Sequence, residues 1–220
     1  LLGALLLVLG AIALLGSAGS TATTDFGFAV LVRGGVLADA GDGVPNLVGN
    51  LDTIPAGAAL TAQTDAVLGL QSTYEGSTEL TRGNVYLAQG AAIQLSAIDP
   101  RRDDGEPGST RLALDQGSIL ISRQSGTWEY RVQFEANESI LSGAGPAAMG
   151  VVSNNGGGHH LFCLIGICRF ESATREDILL NSGEKILLIA SSGTIEQSRI
   201  EPAVVAQWNR MCADCLQGVQ

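Results

Sequence analysis

Two histidines and two cysteines lie within ten residues of one another in the segment HHLFCLIGICRF, residues 159–170. The whole chain holds two histidines and four cysteines, so the segment concentrates the residue types that bind metals or form crosslinks. Cys163 and Cys168 are spaced C-x4-C, and Cys212 and Cys215 are spaced C-x2-C. Thiolate pairs at such spacings form zinc sites or redox centres, and paired cysteines also form disulfides.

A β-hairpin over this segment places Cys163 directly opposite Cys168. With Ile165 and Gly166 as a two-residue turn, the two cysteines form a cross-strand pair without ladder hydrogen bonds. The Cα atoms of such a pair are about 4.5 Å apart, within the range of about 4.4–6.8 Å that disulfides accept. The spacing therefore predicts a hairpin crosslinked by a local disulfide.

Four cysteines allow three disulfide pairings. Cys212 and Cys215 lie one helical turn apart, which favours two local disulfides, Cys163–Cys168 and Cys212–Cys215. Crossed disulfides are one alternative, a zinc site formed by all four cysteines, with a histidine as substitute, is another, and free thiols are a third. No histidine follows the C-x2-C motif, so c-type haem attachment is excluded, and the chain predicts no cofactor.

Composition excludes several functional classes. The net charge is −10, and Lys185 is the only lysine among 12 basic residues. An acidic chain without a basic cluster is a poor match for nucleic acid or anionic lipid headgroups. Both histidines follow a glycine run and are expected in a polar loop, with a metal or pH-sensitive contact as the alternative. No nucleophile elbow or phosphate-binding loop is present, and we expect no enzyme activity.

The first sixteen residues, LLGALLLVLGAIALLG, contain no charged or polar side chain. A membrane span needs about 20 apolar residues, and the core of a signal peptide is shorter. Residues 1–16 are predicted to form a transmembrane helix, with an uncleaved signal sequence or a buried core helix as alternatives. No lysine or arginine follows until Arg33, which favours a periplasmic or extracellular location for the rest of the chain. Disulfides are the default state of cysteines there.

Short strands separated by turn residues dominate the middle of the chain. After a polar linker over residues 17–27, residues 28–200 alternate strand-like runs with glycine and proline breaks about every 8–12 residues. This pattern indicates an all-β domain of stacked short strands, as a β-roll, a solenoid or a sandwich. Residues 201–220 begin with a proline and carry apolar residues at helical spacing, which predicts a short helix packed on the β domain. The same apolar stripe is also compatible with a partner-binding face.

Several of these runs together resemble a FecR-type domain over residues 47–190. The resemblance is carried by LDTIPAGAALTAQTDAVLGL, GNVYLAQGAAIQL, TRLALDQGSILIS, WEYRVQF and ILLNSGEKILL. AAMGVVSNN stands where the family has Val-x-Gly-Thr-x-Phe, and it keeps the glycine but lacks the threonine and phenylalanine. The resemblance implies stacked β-strands outside the membrane, beyond a single membrane helix, in envelope signalling or as an interaction module.

These observations predict a membrane-anchored, extracytoplasmic, non-catalytic interaction or structural module. Its most concrete form is a single-span accessory subunit that binds other membrane or envelope proteins in a larger complex. One alternative is a FecR-like envelope signalling protein whose cytoplasmic anti-sigma segment is missing from this chain. The other is a zinc- or redox-active protein that uses Cys163, Cys168, Cys212 and Cys215.

Overall fold

The computed structural model describes residues 26–73, 81–99, 108–154, 158–172, 175–189 and 192–213. The predicted transmembrane helix, residues 1–16, lies outside this part of the chain, as does most of the predicted linker. Among the described residues, no helix has the length and apolar character required to cross a bilayer.

Seventeen strands and one helix make up the regular structure of the described residues. The strands are β1 (Phe26–Arg33), β2 (Val36–Asp39), β3 (Asn46–Leu47), β4 (Asp52–Pro55), β5 (Ala59–Ala62), β6 (Ala66–Thr73), β7 (Thr81–Leu87), β8 (Ala92–Asp99), β9 (Ser109–Arg123), β10 (Glu129–Phe134), β11 (Asn137–Ser142), β12 (Ala147–Asn154), β13 (Gly158–Ile165), β14 (Ile167–Ser172), β15 (Arg175–Asn181), β16 (Glu184–Ile189) and β17 (Thr194–Arg199). The helix α1 (Pro202–Met211) follows β17. The predictions of an all-β domain and of a short C-terminal helix are confirmed.

The strands form two sheets that share β9. Sheet A has the order β4-β1-β6-β7-β9-β12-β13-β16-β17, and sheet B has the order β3-β2-β5-β8-β9-β10-β11-β14-β15. The pairing of β9 with β10 is parallel, and the other pairings are antiparallel. Because the chain passes repeatedly from one sheet to the other, many sequence neighbours, such as β13 and β14, lie in different sheets.

Strand β9 joins the sheets by bending at Gly117. Its first half pairs with β8 and β10 in sheet B, and its second half pairs with β7 and β12 in sheet A. Gly117 has φ of 94°, and a Cβ atom there would lie 2.7 Å from the Cα of Ala91. Only glycine combines this backbone conformation with so close an approach, so the residue allows one strand to serve both sheets.

The core lies between the two sheets. Inward-facing apolar side chains of both sheets form one cluster, for example Leu68 and Ile121 of sheet A with Leu112 and Val132 of sheet B. Strand β10 shows the period of two that produces this arrangement, because alternate residues are buried along EYRVQF. We call this arrangement of two facing sheets the sandwich.

A buried arginine connects the loops at one end of the sandwich. Arg123, at the end of β9, is 2% exposed. Its guanidinium donates to the carbonyl oxygen of Trp128 and, through Nη2, to those of Ser142 and Gly143 at 3.3 and 2.5 Å. The side chain thus joins the β9–β10 loop to the β11–β12 loop. Burial lowers the pKa of Arg123, although a guanidinium stays protonated in proteins.

Helix α1 packs on the outer face of sheet A. Trp208 is 4% exposed and meets Phe162 of β13 edge-on, with ring centroids 5.9 Å apart. Strand β12 accommodates the indole at Gly150, where a Cβ atom would lie 2.8 Å from the ring. The start of the helix is held by an ion pair of 2.7 Å between Lys185 and Glu201. The predicted apolar stripe of the helix therefore contributes Trp208 to a second hydrophobic cluster, outside the sandwich.

Candidate functional site

The cysteines of the HHLFCLIGICRF segment form a disulfide at a corner of the sandwich. Cys163 ends the buried part of β13 in sheet A, and Cys168 lies in β14 of sheet B. The two residues are fully buried and bonded to each other, with their Cα atoms 5.6 Å apart. Gly166, with φ of 82°, is the single residue between the two strands. The disulfide therefore links the two sheets at the point where the chain crosses between them.

The predicted hairpin over this segment is wrong. Strand β13 pairs with β12 and β16, whereas β14 pairs with β11 and β15, so Cys163 and Cys168 are not cross-strand partners in one ladder. Ile165 stays in the strand, and Gly166 alone turns the chain through the corner. The turn is held instead by Ser182, whose hydroxyl accepts a hydrogen bond of 2.8 Å from the Gly166 amide.

The remaining cysteines are divided between the described and undescribed parts of the chain. Cys212, just after helix α1, is 4% exposed and is also disulfide-bonded. Cys215 lies outside the described residues. Since Cys163 is bonded to Cys168, a crossed pairing of Cys212 with either of them is excluded. Sulfur atoms held in a disulfide are not thiolates, so in this state they cannot bind zinc.

The two histidines lie in strand β13 rather than in a loop, and they face opposite ways. His159 points between the sheets, where its ring lies 4.9 Å from that of Phe134. Its Nε2 is 3.2 Å from Oε1 of Glu135, a turn residue with φ of 53° between β10 and β11. Because adjacent residues of a strand point to opposite faces, His159 and His160 cannot bind the same ion.

His160 lies on the outer face of sheet A beside the helix. Its ring stacks on that of Phe162, with centroids 5.8 Å apart and planes 4° from parallel. Burial lowers the pKa of His160, and the positive charge of Lys185 and the neighbouring His159 lower it further. The residue is thus held neutral at ordinary pH as part of the apolar surface under the helix.

A shallow polar depression lies on the outer face of sheet B. It has a volume of about 470 Å³ and is lined by Arg111, Glu138, Glu171 and Asp177, among others. Nε of Arg111 lies 3.0 Å from Glu138, and Glu138 also contacts Arg131 at 2.9 Å. Arg169 and Glu171 pair in the same way. Mutually paired charges of this kind are typical of a solvated sheet face, so the depression carries no specific chemistry.

A second depression, of about 280 Å³, opens between the edge strands of the two sheets. We call it the β3–β4 groove, and its lining includes Leu47, Val48, Asp52, Ile54 and Ala58. Val48, Ile54 and Ala58 belong to the core between the sheets and are at most 6% exposed. The groove therefore lies directly over the side of the buried core, at the point where β3 and β4 end the two sheets.

One large apolar side chain at the lip of this groove is exposed, and two more are exposed nearby in the same segment of the chain. Leu47 is 69% exposed, and Leu51 and Val44, in the same segment, are 72% and 59% exposed. Among the described residues that line the groove, Asp52 is the only charged one. Such a concentration of exposed aliphatic side chains is typical of a contact surface for another molecule. The β3–β4 groove is therefore the candidate functional site.

Sequence analysis did not identify this site. Residues 41–50, GDGVPNLVGN, are rich in turn residues, and no apolar period indicates which way Leu47 points. The available signal was the presence of isolated Val and Leu residues in a segment that otherwise has turn composition. The role of Arg123 was also missed, because a single arginine at the end of an apolar strand looks like an ordinary surface residue.

Comparisons with known proteins show partial similarity to solved structures and no family. No protein-family model matches the chain, and no curated protein matches it. Two crystal structures of a candidate anti-sigma factor from Parabacteroides distasonis ATCC 8503 are similar, with TM-scores of 0.44 and 0.45 and identities of 13% and 12%. Each alignment covers 57% of this chain and 55% of the other, so the chain spans about half the length of that protein. Membership of the FecR-type family stays a prediction.

Proposed function

We propose that this protein is a non-catalytic interaction module that binds a partner protein through the β3–β4 groove. The observation that carries the proposal is the exposed side chain of Leu47 at the lip of the groove, together with the exposed Leu51 and Val44 in the same segment of the chain. Exposed aliphatic side chains grouped in one segment of a surface are typical of sites that a partner protein covers.

The proposed location is outside the cytoplasm, anchored by the apolar residues 1–16. The buried disulfide Cys163–Cys168 supports an oxidising compartment, since structural disulfides are rare in reducing ones. The absence of basic residues between the apolar stretch and Arg33 supports the same orientation. In its most concrete form the proposal is an accessory subunit whose β-sandwich contacts another envelope protein of the same complex.

Affinity purification of the full chain from detergent-solubilised membranes tests the proposal. The bait is compared with a double variant, Leu47→Ser with Leu51→Ser, and with a matched control, Ile167→Ser with Leu179→Ser on the outer face of sheet B. All four side chains are exposed, so neither variant is expected to alter folding.

We expect a defined set of proteins to be recovered with the wild type and the control, and to be lost with the Leu47/Leu51 variant. Recovery of the same proteins with all three baits, or of none above background, would contradict a function that depends on this groove.

A further inference from the structure

We propose that the β3–β4 groove receives an extended segment of the partner in which apolar side chains alternate with arginine or lysine. This inference rests on the proposed function and adds the chemistry of the partner to it. The occupant is a polypeptide segment. We expect it to be recognised through apolar contacts, through attraction between opposite charges and through backbone hydrogen bonds.

The apolar component comes from the floor and the lip of the groove. Val48, Ile54 and Ala58 form a floor continuous with the sandwich core, and Leu47 stands above it. The volume of about 280 Å³ is at the lower limit for pockets that enclose whole small molecules, which are about 300–1,000 Å³. The groove therefore suits one or two aliphatic side chains of a longer segment better than a cofactor.

The electrostatic component comes from Asp52 in the groove lining, with two further aspartates in the same segment of the chain. Residues 39–52, DAGDGVPNLVGNLD, contain Asp39, Asp42 and Asp52 and no basic residue. Each carboxylate is fixed by backbone amides: Asp39 accepts from Gly41 and Gly43, Asp42 from Val44, and Asp52 from Gly49.

A carboxylate has about four acceptor sites, so these aspartates keep the capacity to bind a cation. The fixed negative charge of Asp52 in the groove, in a segment without basic residues, attracts basic side chains and repels acidic segments and anionic membrane surfaces. Of the apolar segments that could occupy the groove, those that also carry basic residues are therefore expected to bind most tightly.

The backbone component follows from the position of the groove at two sheet edges. Within the described residues, β3 pairs with β2 alone and β4 pairs with β1 alone. An edge strand presents backbone donors and acceptors to an extended segment, whose side chains then point alternately toward and away from the protein. An occupant with apolar side chains on one face and basic ones near the aspartates matches this geometry.

Selection from a phage library of random peptides, about twelve residues long, on the purified protein tests the inference, because no peptide chemistry is favoured in advance. Selected peptides are synthesised, labelled and measured by fluorescence anisotropy against the wild type and four variants. Leu47→Ser and Asp52→Lys test the groove, and Leu179→Ser and Asp177→Lys, both exposed in β15, are the matched controls.

We expect the selected peptides to be enriched in arginine or lysine together with leucine, isoleucine or valine. Leu47→Ser and Asp52→Lys should each weaken binding about tenfold or more, added salt should weaken it further, and the two controls should bind like the wild type.

Selected peptides that are acidic or uncharged but depend on Leu47 would overturn the inference and leave the proposed function standing. Peptides that bind Leu47→Ser as well as the wild type, or a selection that yields no binders, would overturn both.

Two further measurements distinguish other occupants. Sedimentation that shows self-association lost in Leu47→Ser would identify a second copy of the chain as the occupant. Binding to phosphatidylglycerol vesicles that is lost in the same variant would identify a membrane, and either result would overturn the inference.

Discussion

At the scale of single residues, Arg123 shows how one buried charge organises an end of the sandwich. Its guanidinium bonds carbonyl oxygens in two loops that are distant in sequence, and it is the largest of the fully buried side chains in the described part of the chain. Burial also raises the pKa of the adjacent Tyr130, so that phenol stays neutral beside it. The arginine therefore acts as a donor of hydrogen bonds rather than as half of an ion pair.

Replacement of Arg123 by methionine is expected to lower the free energy of unfolding by about 2–4 kcal/mol. Hydrogen bonds from a charged donor contribute about 1.5–3 kcal/mol each, and relief from burying the charge offsets part of their loss. Urea denaturation measures the change. Arg199→Met, at an exposed position in β17, is the control and should change stability by less than about 0.5 kcal/mol. Equal effects of the two substitutions would show that the carbonyl contacts of Arg123 do not stabilise the fold.

His160 is expected to make the protein less stable in mild acid. Its pKa in the folded state is lowered, mainly by burial, below the ordinary value of 6.5. The unfolded chain therefore binds the proton more readily, and stability is lost as the pH falls through about 6.5 toward the folded-state pKa. Thermal unfolding of the wild type and of His160→Gln between about pH 8 and pH 5 measures this. The wild type should lose more stability on acidification than the variant, and parallel curves would contradict the assignment.

At the scale of elements, the disulfide and the helix each connect parts of the structure that are not joined by hydrogen bonds between strands. The disulfide connects β13 of sheet A to β14 of sheet B, and the helix packs on sheet A. The disulfide Cys163–Cys168 connects residues five apart in sequence, so it closes only a small loop. A loop of this size contributes about 2 kcal/mol on the chain-entropy estimate. The double variant Cys163→Ala with Cys168→Ala should therefore fold, with a loss of about 2 kcal/mol in urea denaturation. A variant as stable as the wild type would show that the corner does not depend on the bond.

Helix α1 is expected to depend on the fit between Trp208 and Gly150. Trp208→Ala should cost about 3–5 kcal/mol as a buried aromatic deletion, and Gly150→Ala about 1–3 kcal/mol because its methyl group meets the indole. If Gly150→Ala destabilises the protein because its methyl group collides with the Trp208 indole, the substitution should cost little once Trp208 is alanine. The loss of stability in the double variant should then be smaller than the sum of the two single losses. Gln207→Ala, at an exposed position of the same helix, is the control. Simple additivity in denaturation experiments would contradict this packing.

At the scale of the whole molecule, the sequence predicted local structure better than the arrangement of strands. The strands around Gln89 and Gly90 and the helix after Glu201 were predictable, because turn residues and apolar period are local signals. The period shows which face of a strand is buried, but it does not show which strand lies beside it. For this reason Cys163 and Cys168 were correctly paired and yet placed in a hairpin, whereas the chain crosses between sheets at Gly166.

The candidate site also depends on the whole molecule. The β3–β4 groove exists because two sheets end at the same side of the sandwich and leave a depression between them over buried core residues such as Ile54. The sequence of residues 44–54 does not show that the edge strands of the two sheets lie side by side. A site of this kind depends on the fold, because it forms only where the edges of both sheets meet.

The first experiment to perform is to measure the mass of the intact chain after alkylation under denaturing conditions, with and without prior reduction. It tests whether the disulfide-crosslinked β domain lies outside the cytoplasm, as we propose. For protein isolated from its own membranes with thiols blocked at lysis, we expect no alkylation before reduction and four alkylated cysteines after it. Four cysteines alkylated before reduction would place the domain in a reducing compartment and contradict the account.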